Sequence, residues 1–238
     1  ISCSATDGGI GSLQCGATAS MTFTALANPL APTIASGVQA VCSGSSTTLV
    51  DVQAVAPVAS YCASGAGFAG DQEITNVTIG TLNQSSDCFT PGTGAASVLE
   101  QYADYTSGAG APAAPSLTAG TNAAGSVTVG ACGFFNYTSG LAIFIDLNQD
   151  GDFTDAGEKV YSNGGASNID CVPDTVVPVS LTIPASALNG VTRMRVVSRE
   201  GGVIAGGGDA ITPCTVNGYG ETEDYLVNIT GGITYTYT

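Results

Sequence analysis

The sequence contains no histidine and no tryptophan, and only four of its 238 residues are basic. Without an imidazole, neither a Ser-His-Asp triad nor a Cys-His pair can form, and zinc sites built on histidine are excluded as well. The 19 acidic residues give a formal charge of −15, so the phosphates of a nucleic acid would be repelled. We therefore expect neither nucleic-acid binding nor histidine-dependent catalysis.

Long apolar runs are also missing, because Gly, Pro, Ser and Thr interrupt every uncharged stretch. We expect no transmembrane helix and no membrane insertion. The sequence starts at Ile1 without a hydrophobic leader, which we interpret as a mature, exported chain. The hydrophobic fraction of 44% differs from that of disordered chains, so we expect a buried core.

Eight dispersed cysteines indicate disulfide bonds and therefore an oxidising compartment. None belongs to a Cys-x-x-Cys pair, so metal-thiolate and thioredoxin-like sites are disfavoured. The pattern leaves the connectivity open. The cysteines are Cys3, Cys15, Cys42, Cys62, Cys88, Cys132, Cys171 and Cys214.

Short alternating runs rich in Val, Ile and Thr recur between turns rich in Gly, Ser and Asn. Such runs are typical of β-strands, and their number predicts an all-β fold, an antiparallel β-sandwich of immunoglobulin-like or jelly-roll-like type. The runs are Met21–Leu26, Thr47–Gln53, Ile74–Ile79, Ser126–Val129, Leu141–Ile145, Val177–Ile183, Arg193–Val197 and Tyr225–Ile229.

A domain boundary is predicted near Pro57. Before it, two similar stretches begin at Cys15 and Cys42, each with a cysteine, a turn of small residues and an alternating run. We interpret residues 1–57 as a small β segment of immunoglobulin-like or linking type. Such a short segment is marginal as an independent domain without bridges or a neighbour. Residues 58–238 then form the main β-sandwich.

Two further segments of the main unit have distinctive compositions. Residues 108–125 are rich in Ala, Gly and Pro, and we expect them to form a long exposed loop. Residues 184–190 start with Pro and end with Gly, which makes them the best candidate for a helical turn.

The strongest sequence signal is the acidic loop, Asp146–Glu158, where five of the 19 acids fall within 13 residues. Asp146, Asn148, Asp150 and Gly151 match positions 1, 3, 5 and 6 of an EF-hand calcium loop. Calcium prefers six to eight oxygen ligands, and a tight turn directs alternate side chains to one point. The alternative is a solvated acidic turn without a metal.

The end of the acidic loop departs from an EF-hand, because Glu158 comes one place after the usual glutamate. Asp155 is an extra carboxylate, and Asp152 stands where a backbone carbonyl usually coordinates. A strand-like run precedes the loop, so we expect Ca²⁺ to bind between strands. Magnesium is less suitable, because it keeps more of its water. The candidate ligands in the loop are Asp146, Asn148, Asp150, Asp152, Asp155 and Glu158.

A second group, the C-terminal acidic cluster, consists of Glu221, Glu223 and Asp224. In a strand, Glu221 and Glu223 share one face and Asp224 lies on the other. Arg193 and Arg195 also share one strand face. One interpretation pairs these arginines with Glu221 or Glu223 across adjacent strands. The other has a carboxylate of the cluster, with Glu223 as the candidate, completing the calcium shell.

Together these motifs resemble the bacterial GEVED domain. The D-x-N-x-D-G-D-F-x-D-x-G-E loop is followed by T-R-M-R-V and then by G-Y-G-E-T-E-D-Y, in the order of the family. Two further segments also resemble family motifs, Y-C at residues 61–62 and Y-A-D-Y-T at residues 102–106. The resemblance covers roughly residues 58–230. It departs at Thr222, where the family motif has valine, and at Leu147, where an aromatic residue is common.

The resemblance implies a non-catalytic module of a secreted or surface-displayed bacterial protein, with a structural or adhesive role. Its partners would be other copies or neighbouring domains, and the tail Gly232–Thr238 could add to the sheet of a neighbour in a fibre. The alternative function is a carbohydrate-binding module attached to a secreted enzyme. Its candidate aromatic contacts are Tyr102, Tyr105, Phe134, Phe135, Tyr137 and Tyr219.

Overall fold

The regular secondary structure of the described part of the chain consists almost entirely of β-strands. The computed structural model describes residues 61–70, 72–133, 137–201, 206–216 and 218–234. Within these ranges it contains eleven strands and one short helix, α1 (Gly207–Ala210). The strands are β1 (Gln72–Ile79), β2 (Leu82–Ser85), β3 (Tyr102–Asp104), β4 (Ser116–Thr118), β5 (Thr121–Ala131), β6 (Thr138–Ile145), β7 (Lys159–Ser162), β8 (Ile169–Asp170), β9 (Thr175–Ile183), β10 (Gly190–Glu200) and β11 (Gly220–Thr230).

The strands form two sheets that pack face to face. The four-stranded sheet has the order β2-β1-β5-β9, and the seven-stranded sheet has the order β3-β11-β10-β6-β7, with β4 beside β11 and β8 beside β6. One apolar core unites side chains from both sheets, such as Val77 and Val127 from one and Ile143 and Val196 from the other. The predicted all-β sandwich is confirmed.

The inward and outward alternation of the strands follows the sequence. In β9, Val179, Leu181 and Ile183 are buried and the residues between them are exposed, because one face of the strand contacts the core. In β6 every residue from Ser139 to Ile145 is buried. A second apolar cluster, which includes Phe144, covers the outer face of this strand and explains its continuous burial.

The six strand-like runs that fall within the described residues all lie in strands, β1, β5, β6, β9, β10 and β11. Most strand pairs are antiparallel as expected, but the short β3 and β4 pair with β11 in parallel. These two strands reach the sheet edge from long connections, so no hairpin fixes their direction.

Two local expectations are wrong. Residues 108–125 are not one long exposed loop, because they contain β4 and the start of β5. Strand pairing supplies backbone hydrogen bonds there that the Ala- and Gly-rich composition does not predict. Residues 184–190 form a turn and not a helical segment, and the amide of Leu188 donates to Leu147 O (2.9 Å). The helix α1 lies elsewhere, in a glycine-rich stretch.

Disulfide bonds are present, as the dispersed cysteines predict. Cys62 is bonded to Cys214, and Cys88 is bonded to Cys132. Cys171 is buried, and its Sγ lies 3.4 Å from Ser139 Oγ. Of the remaining cysteines, Cys3, Cys15 and Cys42 lie outside the described residues, as do residues 1–57 and the proposed boundary near Pro57, which stay predictions.

Among the described residues, no helix has the length and apolar composition needed to cross a lipid bilayer.

Candidate metal centre

The acidic loop connects β6 to β7 at one end of the seven-stranded sheet. Its start is fixed by strand pairing, because Asp146 N donates to Arg193 O of β10 (3.1 Å) and Ile145 N donates to Glu158 O (2.9 Å). The chain then turns tightly at Gln149 (φ 58°) and Gly151 (φ 96°). Gly151 is buried in a left-handed conformation that favours glycine, as expected for position 6 of such a loop.

Three carboxylates converge in the acidic loop. Oxygens of Asp150, Asp152 and Asp155 all lie within 4.8 Å of one another, close enough to contact one metal ion. The alternate spacing of Asp150 and Asp152 brings these side chains together, and the turn that follows adds Asp155. This geometry could hold a cation with oxygen ligands.

Asn148 lies beside this carboxylate group. Its Nδ2 donates to Asp150 Oδ2 (3.0 Å) and to Asp155 Oδ2 (2.6 Å). Rotating the amide by half a turn exchanges its oxygen and nitrogen, so the same position can present an oxygen ligand to a cation. Asn148 is therefore in place for the role that its spacing predicts.

Asp146 holds the loop backbone. Its Oδ1 accepts a hydrogen bond from Asp150 N (3.2 Å), and its Oδ2 accepts one from Gly151 N (3.1 Å) and one from the Tyr61 hydroxyl (2.6 Å). The residue is fully buried, and burial raises the pKa of its carboxyl. These bonds fix the turn that places the other carboxylates.

Glu158 closes the loop from its other end. Its Oε1 accepts from Leu147 N (2.9 Å) and its Oε2 accepts from Asp155 N (3.1 Å). Burial raises the pKa of this carboxyl to about 7, although the two backbone bonds oppose the shift. The structure thus gives Asp146 and Glu158 a bracing position, whereas the group within 4.8 Å consists of Asp150, Asp152 and Asp155.

Tyr61 was not predicted as a site residue. Besides its bond to Asp146, its ring packs on Phe153 of the loop, with centroids 4.9 Å apart. The Arg193 guanidinium lies over the same ring at 4.3 Å. Tyr61 adjoins Cys62, which bonds to Cys214, so the disulfide anchors this contact. No spacing rule could find it, because 85 residues separate Tyr61 from Asp146.

Asp224 binds both arginines of β10. Arg195 Nε donates to Oδ1 (2.7 Å) and Nη2 donates to Oδ2 (2.7 Å), while Arg193 Nη1 lies 3.3 Å from Oδ2. The Tyr102 hydroxyl donates to the same Oδ2 (2.9 Å). The interpretation that the arginines pair with Glu221 or Glu223 is wrong, because those glutamates lie on the other face of β11.

Glu221 and Glu223 point between the two sheets. Glu221 Oε2 accepts from Ile74 N (2.8 Å). Glu223 Oε1 accepts from Ser86 Oγ (3.0 Å), and its Oε2 accepts from the Tyr225 hydroxyl (2.7 Å). Burial raises the pKa of Glu223 to about 8 and that of Glu221 well above its ordinary range. The structure does not bring Glu223 into the carboxylate group of the acidic loop.

Another acidic group in the described residues contains Glu73, Cys88 and Cys132. Its two sulfurs are bonded to each other at 2.07 Å, so they offer no thiolate to a metal. The acidic loop is therefore the better metal candidate.

Fold and site together define an all-β sandwich module with an acidic, oxygen-rich loop between two strands. Residues 140–228 match the family model of the GEVED domain, so the predicted resemblance is confirmed over this part of the chain. The match includes both the acidic loop and the C-terminal acidic cluster. The GEVED domain is an extracellular type of domain, compatible with the two disulfides.

One similar solved structure is the CARDB domain of a Pyrococcus furiosus protein in complex with di-metal ions. It is 10% identical, covers 48% of this chain and 79% of its own, and has a TM-score of 0.27, too low for an argument about the site. No curated protein matches the sequence.

Proposed function

We propose that the chain is a non-catalytic structural or adhesive module of an exported bacterial protein, in which Ca²⁺ bound by the acidic loop stabilises the fold. The observation that supports this proposal is the convergence of Asp150, Asp152 and Asp155 within 4.8 Å. Like charges at such distances repel one another, and a bound cation converts the repulsion into attraction.

The chemistry of the donor set fits calcium. Asp150, Asp152 and Asp155 supply carboxylate oxygens, and Asn148 supplies an amide oxygen after rotation of its side chain. Calcium prefers such hard oxygens at about 2.3–2.6 Å and tolerates irregular geometry, whereas magnesium demands a near-ideal octahedron. Asp146 and Glu158 would brace the loop from behind. A cation that binds only the folded state adds stability by mass action.

A groove next to the loop supports the non-catalytic part of the proposal. This groove, of about 490 Å³, is lined by Phe153, Asp155, Lys159 and Ile211 among others. It presents one carboxylate, whereas glycoside hydrolysis requires a pair on either side of the scissile bond. Lys159 is exposed, and its ammonium donates to Asp209 O (2.8 Å). Its position is that of a surface contact and not of a buried nucleophile.

Thermal unfolding with and without chelator tests calcium binding. We expect chelation to lower the melting temperature of the wild type, and Asp152→Asn combined with Asp155→Asn to remove most of that difference. Asp170→Asn, an exposed acid on β8, is the matched control and should respond like the wild type. A chelator-insensitive melt, with no calcium found by elemental analysis, would contradict the proposal.

The carbohydrate-binding alternative has one supporting observation. The ring of Phe68, which is 60% exposed, packs against Tyr219 with centroids 5.3 Å apart. Exposed aromatic faces are surfaces on which sugars stack. A glycan array with wild type and Phe68→Ala separates the two functions, because a structural module should give no saturable signal that depends on Phe68. Electron microscopy of native material tests the fibre, through the presence or absence of a regular repeat.

A further inference from the structure

The inner face of β11 carries two glutamates that are almost completely buried. Glu221 is 2% exposed and Glu223 is 0% exposed. Neither carboxylate contacts a basic side chain in the described part of the chain. The closest candidate, Arg199, directs its guanidinium to backbone carbonyls, including Ser198 O (2.9 Å) and Gly65 O (3.0 Å). Two acidic groups therefore lie side by side between the sheets without a direct ion pair, and the charge of Arg199 only partly offsets the effect of burial on Glu221.

Ser198 points into the same space. It is 0% exposed, and its Oγ has no hydrogen-bond partner among the described residues. Ser198 is paired with Glu221 across β10 and β11, and it shares the inner strand face with Met194 and Val196. Directly paired side chains on one face have Cβ atoms about 4.5–5.5 Å apart. The unpartnered hydroxyl is therefore adjacent to the Glu221 side chain.

Gln72 adds a second unpartnered group. It is 1% exposed, and neither its Oε1 nor its Nε2 has a hydrogen-bond partner among the described residues. Gln72 and Ile74 are on the same face of β1, and Ile74 N donates to Glu221 Oε2. A buried polar group without a partner costs about 1–3 kcal/mol. Two unpartnered buried groups, one opposite Glu221 on β10 and one on the strand that contacts Glu221, indicate that something binds there.

We propose that Glu221 and Glu223 form a second cation site, which lies between the two sheets and is separate from the acidic loop. The glutamates supply the negative charge, and Ser198 Oγ and Gln72 Oε1 supply neutral oxygens. The oxygen-only donor set selects a hard cation such as Ca²⁺. Because the site is buried, the ion enters as the sheets pack together and then exchanges slowly.

Glu223 therefore belongs to a different cation site from the one that its position in the sequence suggests. Instead of completing the shell of the acidic loop, it belongs to a site of its own. The two sites share no proposed ligand, so each can be removed without removing the other. The inner site therefore stands even if the loop binds no calcium.

The test measures bound calcium after refolding. Wild type, a loop variant (Asp150→Asn with Asp155→Asn), an inner variant (Glu223→Gln) and the combination of all three are refolded with Ca²⁺. After prolonged dialysis against chelator, calcium per chain is determined by elemental analysis. We expect about one slowly exchanging ion in the loop variant and none in the inner or combined variants. A loop variant without calcium, or a combined variant that retains it, would overturn the inference.

A second measurement covers the case in which Glu223→Gln does not fold. Ser198→Ala in the loop variant removes a neutral donor and leaves the charge unchanged, and we expect calcium release at least tenfold faster. Terbium, a luminescent substitute for calcium, should emit after tyrosine excitation in the loop variant, because Tyr225 contacts Glu223. Unchanged release together with absent emission would show that the glutamates are protonated and hold no ion.

Discussion

The C-terminal acidic cluster differs in its surroundings from the three converging acids of the acidic loop, although the side chains are of the same kinds. In the loop, Asp155 is exposed and Asp150 and Asp152 are half-buried. In the cluster, all three acids are at most 2% exposed. Local turns bring the carboxylate oxygens of the loop together at the surface. In the cluster, the alternation of side chains along β11 places the three acids on two different faces of the strand.

This difference shows that a high density of acidic residues in a sequence does not identify one particular kind of site. Asp224 forms an ion pair with two arginines on the outer face of the sheet. Glu221 and Glu223 lie on the inner face, where neither forms an ion pair with an arginine. We expect changes at Asp150, Asp152 or Asp155 to have little effect on the sheets, whereas each acid of the cluster is part of the packing itself.

The largest effect is expected for Asp224→Ala. The substitution leaves Arg195, which is 2% exposed, without its carboxylate partner. Breaking a buried ion pair in this way costs about 3–5 kcal/mol. Urea denaturation measures the loss, with Asp170→Asn as the exposed control that should change stability little. A loss below about 1 kcal/mol would mean that the pair contributes little and that the two acidic regions differ less than their burial indicates.

The pH dependence of stability in the presence of chelator is expected to be dominated by buried carboxyls. Burial raises the pKa of Glu73 from 4.5 to about 8, with Glu100 and Asp87 adding to the shift. The folded state therefore holds a proton that the unfolded state releases, so the stability that Glu73 contributes is fully present below pH 4.5 and is lost as the pH rises to 8.

We expect this fall to be about 2–4 kcal/mol in urea titrations of the wild type. Glu73→Gln should make the fall smaller without abolishing it, because the pKa values of Glu158, Glu221 and Glu223 are raised as well, and Asp170→Asn should leave the curve unchanged. Stability that stays level or rises over the same range would show that Glu73 is ionised in the folded protein.

The smallest effect is expected within the loop, measured in chelator. Asp146→Asn leaves one of its backbone donors without a carboxylate acceptor and should cost about 1–3 kcal/mol. Asp152 accepts from Thr154 at the surface, so Asp152→Asn should change stability by less than about 0.5 kcal/mol. Equal losses for the two variants in urea denaturation would contradict the division between bracing and cation-facing carboxylates.

Much of the fold could be predicted from the sequence, because local alternation of side chains is enough to identify strands. The runs that became β1, β9 and β11 show this. The strand pairings could not be predicted. β3 and β4 join β11 in parallel, although neither has a run long enough to be recognised as a strand.

The convergence of carboxylates in the acidic loop could also be predicted from the sequence. Its carboxylates are close in sequence, so the turn at Gly151 nearly suffices to bring them together. The contacts of Tyr61 and Asp224 could not be predicted in this way. Tyr61 contacts Asp146 across 85 residues, and Arg195 contacts Asp224 through the register of two strands.

By itself, the sequence determined the chemistry available to this protein: oxygen ligands without imidazole, disulfides, and alternating strands that must bury one face. The tertiary structure decided which acids meet one another and which meet a base. The physical reason is the alternation of side chains along β11. Successive side chains along a strand point alternately to the outer face of the sheet and to the space between the sheets. Glu223 and Asp224 are neighbours in sequence and therefore lie on opposite faces.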